Sequence, residues 1–479
     1  MNALEERDRM SKISSMMDVG KRSLSNAQTA LQTVSHNIAN KSTEGYSRQR
    51  VDLVTNEPIG SGNLRIGMGA RASQVSRVNN PWLEKQIQRE QMNLGQAETK
   101  ADALGRVEQV YNEQGTKGLN HQLNEFFNSF RELSNTPESL ASRTMVRESA
   151  STLTQTFKNM NKQLKDVQTD LDGQIKTTTE EINQISKEIA SLNEKIQLVE
   201  IQNVPANDER DRRDLLVKKL GEKIDITWGE GNNGMLTITA GNTAILVSGT
   251  SSNELKAAHT DDRDRVELFY RSTEKGSLFN ITSQVRGGKI GGALEVRDDI
   301  IEKHLDTIDS LAYKLAEEVN YAHEAGYDRY GKTNNSFFDL PKEVKGASET
   351  LTINEAIQLD AGKVSVAARP GSPGDNTIAN IIGALQYQKV MDEGSSTMDD
   401  YYISQVGQIG TVSQRAVKTF ESQKNILDQL TNIRESISGV SLDEEATKMI
   451  EMQKAYDASA RLIRTADEMF DTVLNLKRM

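Results

Sequence analysis

The chain contains no cysteine. Disulfides, thiolate nucleophiles and cysteine-ligated metal sites are therefore excluded, and nothing in it would mispair in an oxidising space. Aromatic residues make up 5% of the 479 residues, and there are only 7 prolines. A compact enzyme of this length buries more large apolar side chains than that, whereas long helices burying one narrow stripe do not need them. No run of about 18 apolar residues occurs, so no helix is expected to span a membrane. The opening "MNALEERDRMSKISS" lacks the apolar stretch of a cleavable signal peptide, so any export would leave the N-terminus intact. Positive charge is in deficit too, with 58 Lys and Arg against 69 Asp and Glu and a net charge of −11. Without a basic cluster interleaved with aromatics, neither nucleic acid nor an anionic membrane is expected as a partner.

What the sequence does have is helical periodicity at both ends. Met17, Gly20, Leu24, Ala27, Leu31, Val34 and Ile38 step by three and four. This spacing describes a coiled-coil seam or one helix of a globular core, and periodicity alone leaves both open. At the other end Met449, Met452, Tyr456, Ser459, Ile463, Ala466, Phe470 and Val473 repeat the spacing, after a break expected at Gly439. Neither stripe is wide enough to make a core with the other alone. Both helices are expected to be poorly ordered in the monomer and to pack against copies in neighbouring molecules.

Between the ends, Pro81 suits the first turn of a helical region reaching Val199. Its longest seam runs Leu164, Val167, Leu171, Gln174, Thr178, Ile182, Ile185, Ile189, Leu192, Ile196, Val199. A helical stretch resumes at Asp208, and another spans Ala293–His323 with Ile301, Leu305, Ile308, Leu311, Leu315, Val319 and Ala322 on one face. Short strands and turns are expected from Arg50 to Val78, punctuated by Gly60, Gly62, Gly67 and Gly69. The runs "IDITWGE", "MLTITAG", "TAILVSG", "RVELFY" and "SLFNITS" predict a small β domain, closed by "GGKIGG" (Gly287–Gly292) as a hinge. "LTIN" and "KVSVAA" read as two more strands before the turn-rich "RPGSPGDN".

The expected fold class is mainly α with β insertions, comprising paired terminal coiled-coil helices, a long helical bundle and a small β-rich outer domain. Residues 1–60 and 436–479 would form the terminal domain, 61–220 and 289–435 the helical middle, and 221–288 the outer β domain.

Candidates for chemistry are weak. "GYDRYGKT", Gly326–Thr333, matches the phosphate-cradling loop, but that loop needs a strand before it and a helix start after it. Here a helix precedes it and "NNSFFDLP" follows. None of His36, His121, His259, His304 and His323 forms a ligand pair of the H-E-x-x-H kind. The adjacent acids Asp261 and Asp262, Asp298 and Asp299, and Asp399 and Asp400 read as solvated faces, since paired carboxylate chemistry needs convergence across a pocket. No catalytic residue, metal or cofactor is expected.

The turn after the first helix is informative. "NIANKSTEGYSRQR", Asn37–Arg50, resembles the signature of the bacterial flagellar rod, hook and hook-associated proteins, through Ala39, Asn40, Thr43, Gly45 and Tyr46. Asn193–Ile226, "RPGSPGDN" followed by "DDYYISQVGQIG", and Ser438–Leu474 are similar, in the same order, to segments of the hook-associated branch of that family. The resemblance implies a subunit at the junction of hook and filament, assembled as a short helical tube with its terminal helices lining the inner core. It also implies hook protein on the proximal side, a second junction protein distally, flagellar type III export, and an export chaperone on the C-terminal helices. Hook, distal rod and second junction proteins share the N-terminal signature, and "NDERDRRDLL" favours the junction branch over them. A nucleotide hydrolase built on "GYDRYGKT" is the alternative from another class. The family's usual start corresponds to Met10, so Met1–Arg9 is expected to be either an extension or a misassigned start.

Overall fold

The computed structural model describes residues 3–61, 64–111, 118–231, 233–260, 263–271 and 277–476. Met1, Gly62 and the Asp261–Asp262 pair lie outside these. The framework is helical: α1 (Ala3–Ala39), α2 (Pro81–Tyr111), α3 (Leu119–Asn135), α4 (Leu140–Glu200), α5 (Asn207–Lys223), α6 (Gly288–Leu294), a π-helical turn (Glu295–Ile301), α7 (Glu302–Glu324), α11 (Met398–Ser438) and α12 (Leu442–Leu476). Three short helices, α8 (Ala347–Thr350), α9 (Glu355–Leu359) and α10 (Thr377–Ala384), lie between α7 and α11.

Local chemistry sets the starts of the long helices. Pro81 opens α2, where its missing N–H costs nothing, and the Asn80 side chain accepts from the Trp82 and Leu83 amides at 3.2 and 3.3 Å. Ser139 caps the 61-residue α4, and Thr397 caps α11. α11 ends at Ser438, and Gly439 takes an extended conformation before α12 begins.

Strands β1 (Gln49–Thr55) and β4 (Ala70–Arg77) form an antiparallel ladder with an irregularity at Asp52/Leu53, and β2 (Ile59–Ser61) pairs with β3 (Leu64–Ile66) beyond it. Further along, β5 (Ile226–Glu230), β6 (Leu236–Ala240), β7 (Ala244–Ser248) and β8 (Ser251–Ser252) form a four-stranded antiparallel sheet. Next to it β9 (Glu254–Thr260), β10 (Arg263–Arg271) and β11 (Leu278–Asn280) form a three-stranded one. The small pair β12 (Phe338–Asp339) and β13 (Thr352–Ile353) accounts for "LTIN".

One continuous apolar core runs from α3 along α4 into the β-sheets and α7. The scarce aromatics concentrate there, where Phe126, Phe127, Phe130, Phe337 and Phe338 pack with ring centroids 4.8–5.9 Å apart. The predicted face of α7, from Ile301 to Ala322, is buried throughout.

Three expectations are corrected. The α4 seam is only in part a helix–helix seam over its second half, where α4 packs on α5 and also on the sheets. There Ile175, Ile182, Ile189 and Ile196 alternate with Asp172, Thr179, Ser186 and Asn193, all buried, in place of Gln174 and Thr178. This mixed face packs on strands, whose backbone can satisfy polar side chains. Asn193 donates to Leu236 O and Gly249 O at 3.0 and 2.7 Å, and Asn183 exchanges two hydrogen bonds with Leu255 at 2.7 and 2.8 Å. The "GGKIGG" hinge is instead a close-packed helix start. A Cβ at Gly292 would meet Gln96 O at 2.6 Å, so the glycines let α6 approach the α2 backbone. "KVSVAA" is no strand: Arg143 donates to Val364 O, Ser365 N donates to the His323 ring at 2.8 Å, and only Ala367 forms a bridge, to Tyr327.

Candidate assembly interface

Helices α1 and α12 pair more extensively than any other two elements. Gly20 lies against Ile463, Ser459 donates to Ser23 at 2.8 Å, and Asn37 donates to Glu445 at 2.9 Å, so the pair is antiparallel. The approach is closest at Gly20, where a Cβ would stand 2.8 Å from Ile463 Cγ1.

The predicted stripes are only partly covered by this pairing. Ala27, Val34 and Ala466 are buried. Met17, Leu24, Leu31, Ile38, Met449, Met452, Ile463, Phe470 and Val473 are half-buried, and Tyr456 is exposed. Ile450 and Met469 are also exposed on α12. Beside the pair, α1, α12 and the β1–β4 ladder enclose an apolar groove of about 510 Å³, lined among others by Val19, Ala30, Val51, Leu53 and Met452.

The signature turn closes the base of the pair. Asn37, 1% exposed, uses its whole side chain: its amide donates to Gln49 O and Glu445 Oε2, both at 2.9 Å. Its carbonyl accepts from Tyr46 Oη at 2.7 Å and Gln49 N at 2.9 Å. Burial, and then Asp208, Asp211 and Glu445 nearby, push the Tyr46 phenol well above its ordinary range, so it stays a donor. Gly45 has φ +81°, and a Cβ there would sit 3.1 Å from Leu215 Cβ. Asn40 and Thr43 shape the turn itself, Thr43 Oγ1 donating to Asn40 Oδ1 at 3.1 Å, while Ala39 is exposed.

From above, Arg434 of α11 holds the same turn. Its guanidinium donates to Gly45 O at 3.1 Å and Tyr46 O at 3.0 Å, and pairs with Glu84 at 3.1 Å. Although burial opposes ionisation of Glu84, Lys218 and Arg434 hold its carboxyl below the usual range.

Helix α5 connects this turn to the sheets, and its sequence explains how. Asp208, Asp211 and Asp214 recur every three residues on one face. Asp208 accepts from Gln49 at 2.7 Å, Asp211 from Ser47 N at 2.8 Å, and Arg77 reaches Asp211 and Asp214 at 2.7 and 2.9 Å. Burial pushes the Asp211 carboxyl up, against the opposing pull of Arg77. On another face Arg210 clamps Glu200 with two contacts at 2.6 and 2.8 Å and reaches Glu230 at 2.7 Å. The buried Arg213 donates to Asn193 Oδ1 and Gly234 O at 3.0 and 2.6 Å. The acidic face thus grips the terminal turn and the basic face grips α4 and the first sheet.

Asn37, Arg434, Glu445 and Asp211 do not stand out from sequence alone. Asn37 lies inside the quoted signature, but its partners are far away in the chain. The only local signal was the alternation of acid and base in "NDERDRRDLL".

The other candidates are structural. In "GYDRYGKT" the Tyr330 and Lys332 amides donate to Asp328 Oδ1, both at 2.8 Å, so a carboxylate of the loop itself occupies the position a phosphate would need. α7 precedes the loop and no helix follows directly. His323 is fully buried between Asn335 O at 2.7 Å and Ser365 N at 2.8 Å, and burial pulls its pKa down to about 4. His304, beside Tyr111, is likewise pulled down to about 4, by burial and then Lys303. Among the described residues no three His, Asp or Glu side chains converge as a metal site, and no helix is long and apolar enough to cross a membrane.

Comparison with known proteins matches these parts separately. Residues 17–46, α1 and the signature turn, match the family described as flagella basal body rod protein. Residues 435–476, which include α12, match flagellar basal body rod FlgEFG protein C-terminal, and residues 104–338 match the helical domain of flagellar hook-associated protein FlgK. A terminal helix pair closed by this turn, carrying that helical domain, defines an axial structural protein of the bacterial flagellum. Flagellar hook-associated protein 1 of Bacillus subtilis (strain 168) is 28% identical, the alignment covering 96% of this chain and 97% of that protein. Its counterpart in Escherichia coli (strain K12) is 24% identical over 97% of this chain and 100% of its own length. The fold resembles that of the flagellar hook junction protein FlgK from Burkholderia pseudomallei, with a TM-score of 0.67 at 14% identity, covering 74% of this chain and 100% of that one. The chain belongs to the flagellar hook-associated protein 1 family, structural proteins of the hook–filament junction.

Proposed function

We propose that the chain polymerises into a short helical tube between hook and filament, with the α1–α12 pair lining the inner wall. The observation that carries this reading is the incomplete coverage of that pair: Ile450 and Met469 remain exposed, and most of the two predicted stripes is only half-buried. Apolar surface of this kind is stabilised when copies cover it. In this reading the terminal domain comprises residues 1–60 and 436–479, the helical middle 61–220 and 289–435, and the outer β domain 221–288. Hook protein contacts the proximal end and a second junction protein the distal end. Export proceeds through the flagellar type III apparatus, with a chaperone masking the C-terminal helices until assembly. The chain performs no catalysis in this role.

Truncation after Gly439 tests the reading. The truncated protein should keep its β-sheet circular dichroism signal and should fail to join tubes seen by electron microscopy. In cells lacking the gene, hooks without filaments and flagellin lost to the medium are expected. Incorporation of the truncated chain would defeat the reading.

A further inference from the structure

In the turn between α4 and α5, Leu198, Ile201 and Val204 are 60%, 70% and 53% exposed. No other stretch of seven described residues holds three large apolar side chains that are each more than half exposed. Single exposed aliphatics are ordinary, but three on one turn of a polar chain mark a contact surface. The turn is held firmly. Arg210 clamps Glu200 at 2.6 and 2.8 Å, and Ala206 N donates to Glu200 Oε1 at 3.4 Å. Asn207 donates to Val75 O at 2.7 Å, which ties the far side of the turn to the β1–β4 ladder. A knob already fixed in shape loses little conformational entropy when it binds.

The same chain carries a hollow of matching character, the apolar groove of about 510 Å³ enclosed by α1, α12 and the β1–β4 ladder. Knob and groove lie on different flanks of α1. Val199 and Pro205 of the turn border Thr29 and His36, whereas Val19, Ala27, Ala30 and Val34 line the groove. At helical spacing these two sets point in different directions. A patch and a hollow on different flanks of one molecule join copies head to tail, and such contacts propagate into rings or helical tubes. A two-fold dimer would instead bring identical patches together.

Charge agrees with that pairing. The last turn of α4 contains no basic residue, so the carbonyl end of a 61-residue helix meets the knob without a cation of its own, and Glu200 and Arg210 neutralise each other. The open rim of the groove carries Arg50 and Lys448, whose side chains are 69% and 42% exposed. Each has donors to spare beyond its contact with Asp52 or Glu445. We propose that Leu198, Ile201 and Val204 of one copy insert into the groove of the next, with the receiving copy's Arg50 and Lys448 over the carbonyl end of α4. The pairing rests on the tube reading above and names the surfaces that carry it. Three side chains fall short of the roughly 800 Å² per partner of a stable interface, so the knob sets direction and register while the α1–α12 stripes supply area.

The absence of cysteine gives the test a clean background. Ile201→Cys and Leu53→Cys, on the knob and in the groove lining, are made separately in the full chain at exposed positions. The two variants are mixed, oxidised with diamide under tube-forming conditions and run on a non-reducing gel. A disulfide-linked pair should appear in the mixture, and neither variant alone should cross-link. Ile201→Asp supplies a second readout that does not depend on thiol geometry: its circular dichroism should match wild type, and tubes should be lost by electron microscopy. The proposal is overturned if Ile201→Asp assembles normally. It is equally overturned if the mixture forms tubes without cross-linking, or if Ile201→Cys alone cross-links as fully as the mixture, since the turn then meets its own kind. Cross-linking of the mixture at high concentration without any tubes would uphold the knob-and-groove contact and count against the tube reading. Neither tubes nor cross-links would defeat both.

Discussion

Asn37 and Glu445, separated by 408 positions in the chain, share a 2.9 Å hydrogen bond at the base of the terminal helix pair. Both side chains are 1% exposed. Substituting Asn37→Ala strands Tyr46 Oη, Gln49 N and Glu445 Oε2 away from water, while Glu445 Oε1 keeps Lys448 at 2.8 Å. A loss of about 2–4 kcal/mol in the stability of the terminal pair is expected. Chemical denaturation followed by hydrogen exchange in α12 would measure it, and unchanged protection there would refute the hub.

At Gly20 the test is steric. Gly20→Leu should force α1 away from Ile463 and Leu462 and cost about 1–3 kcal/mol. Combining it with Ile463→Ala should recover part of that loss. A double-mutant cycle with no coupling between the two positions would show that the helices do not meet there.

Ile450 separates assembly from folding. It is 59% exposed, so Ile450→Asp should leave the denaturation midpoint of the monomer within about 0.5 kcal/mol of wild type. Tube formation should fall sharply, because the carboxylate would be buried against a neighbour. Normal tubes, counted by electron microscopy, would mean this face stays in solvent.

His323 and His304 make the middle of the molecule acid-sensitive. Both rings have a folded pKa of about 4 against an ordinary value of 6.5, so the unfolded chain binds more protons between those limits. Stability is full above about pH 6.5 and declines as pH falls towards 4, by roughly 3 kcal/mol per ring. Denaturation midpoints at pH 7 and pH 4.5 should differ accordingly, and His323→Asn should flatten the dependence. A midpoint that rises on acidification would contradict the buried neutral rings.

Asn193→Leu probes the attachment of the first sheet to α4. It keeps the branched outline of the side chain, with two methyls in place of the amide, but removes the bonds to Leu236, Gly249 and Arg213. Exchange protection in β6 and β7 should drop while that of α1 and α12 is retained. Uniform loss of protection would mean the two regions unfold together.

What could be read from sequence was whatever repeats locally. The face of α7 from Ile301 to Ala322 is continuous and apolar, and its period alone identifies it. In α4 the same method slipped by one residue at Gln174 and Thr178, because Ile175 and Thr179 form the buried face and half of that face is polar. Periodicity counts apolar residues, and a helix that docks on strand backbone does not need them at every turn. The glycines of "GGKIGG" have two readings, freedom or close approach, and only the nearby Gln96 carbonyl decides between them. Asn37, Arg434 and Asp211 were illegible for a different reason: each acts through partners brought in by tertiary folding, and one polar residue in a polar chain carries no mark of that.

The long reach of the Asn37–Glu445 bond has a consequence for biosynthesis. A ribosome adding about 5–20 residues per second would take roughly 20–80 seconds to travel from one partner to the other. Throughout that time Asn37 has only its local partners Tyr46 and Gln49, and a product that stops before residue 445 never supplies the carboxylate. The bond can therefore form only after residue 445 has been made, so the terminal pair closes late in synthesis, whatever the order in which the helical middle and the sheets fold.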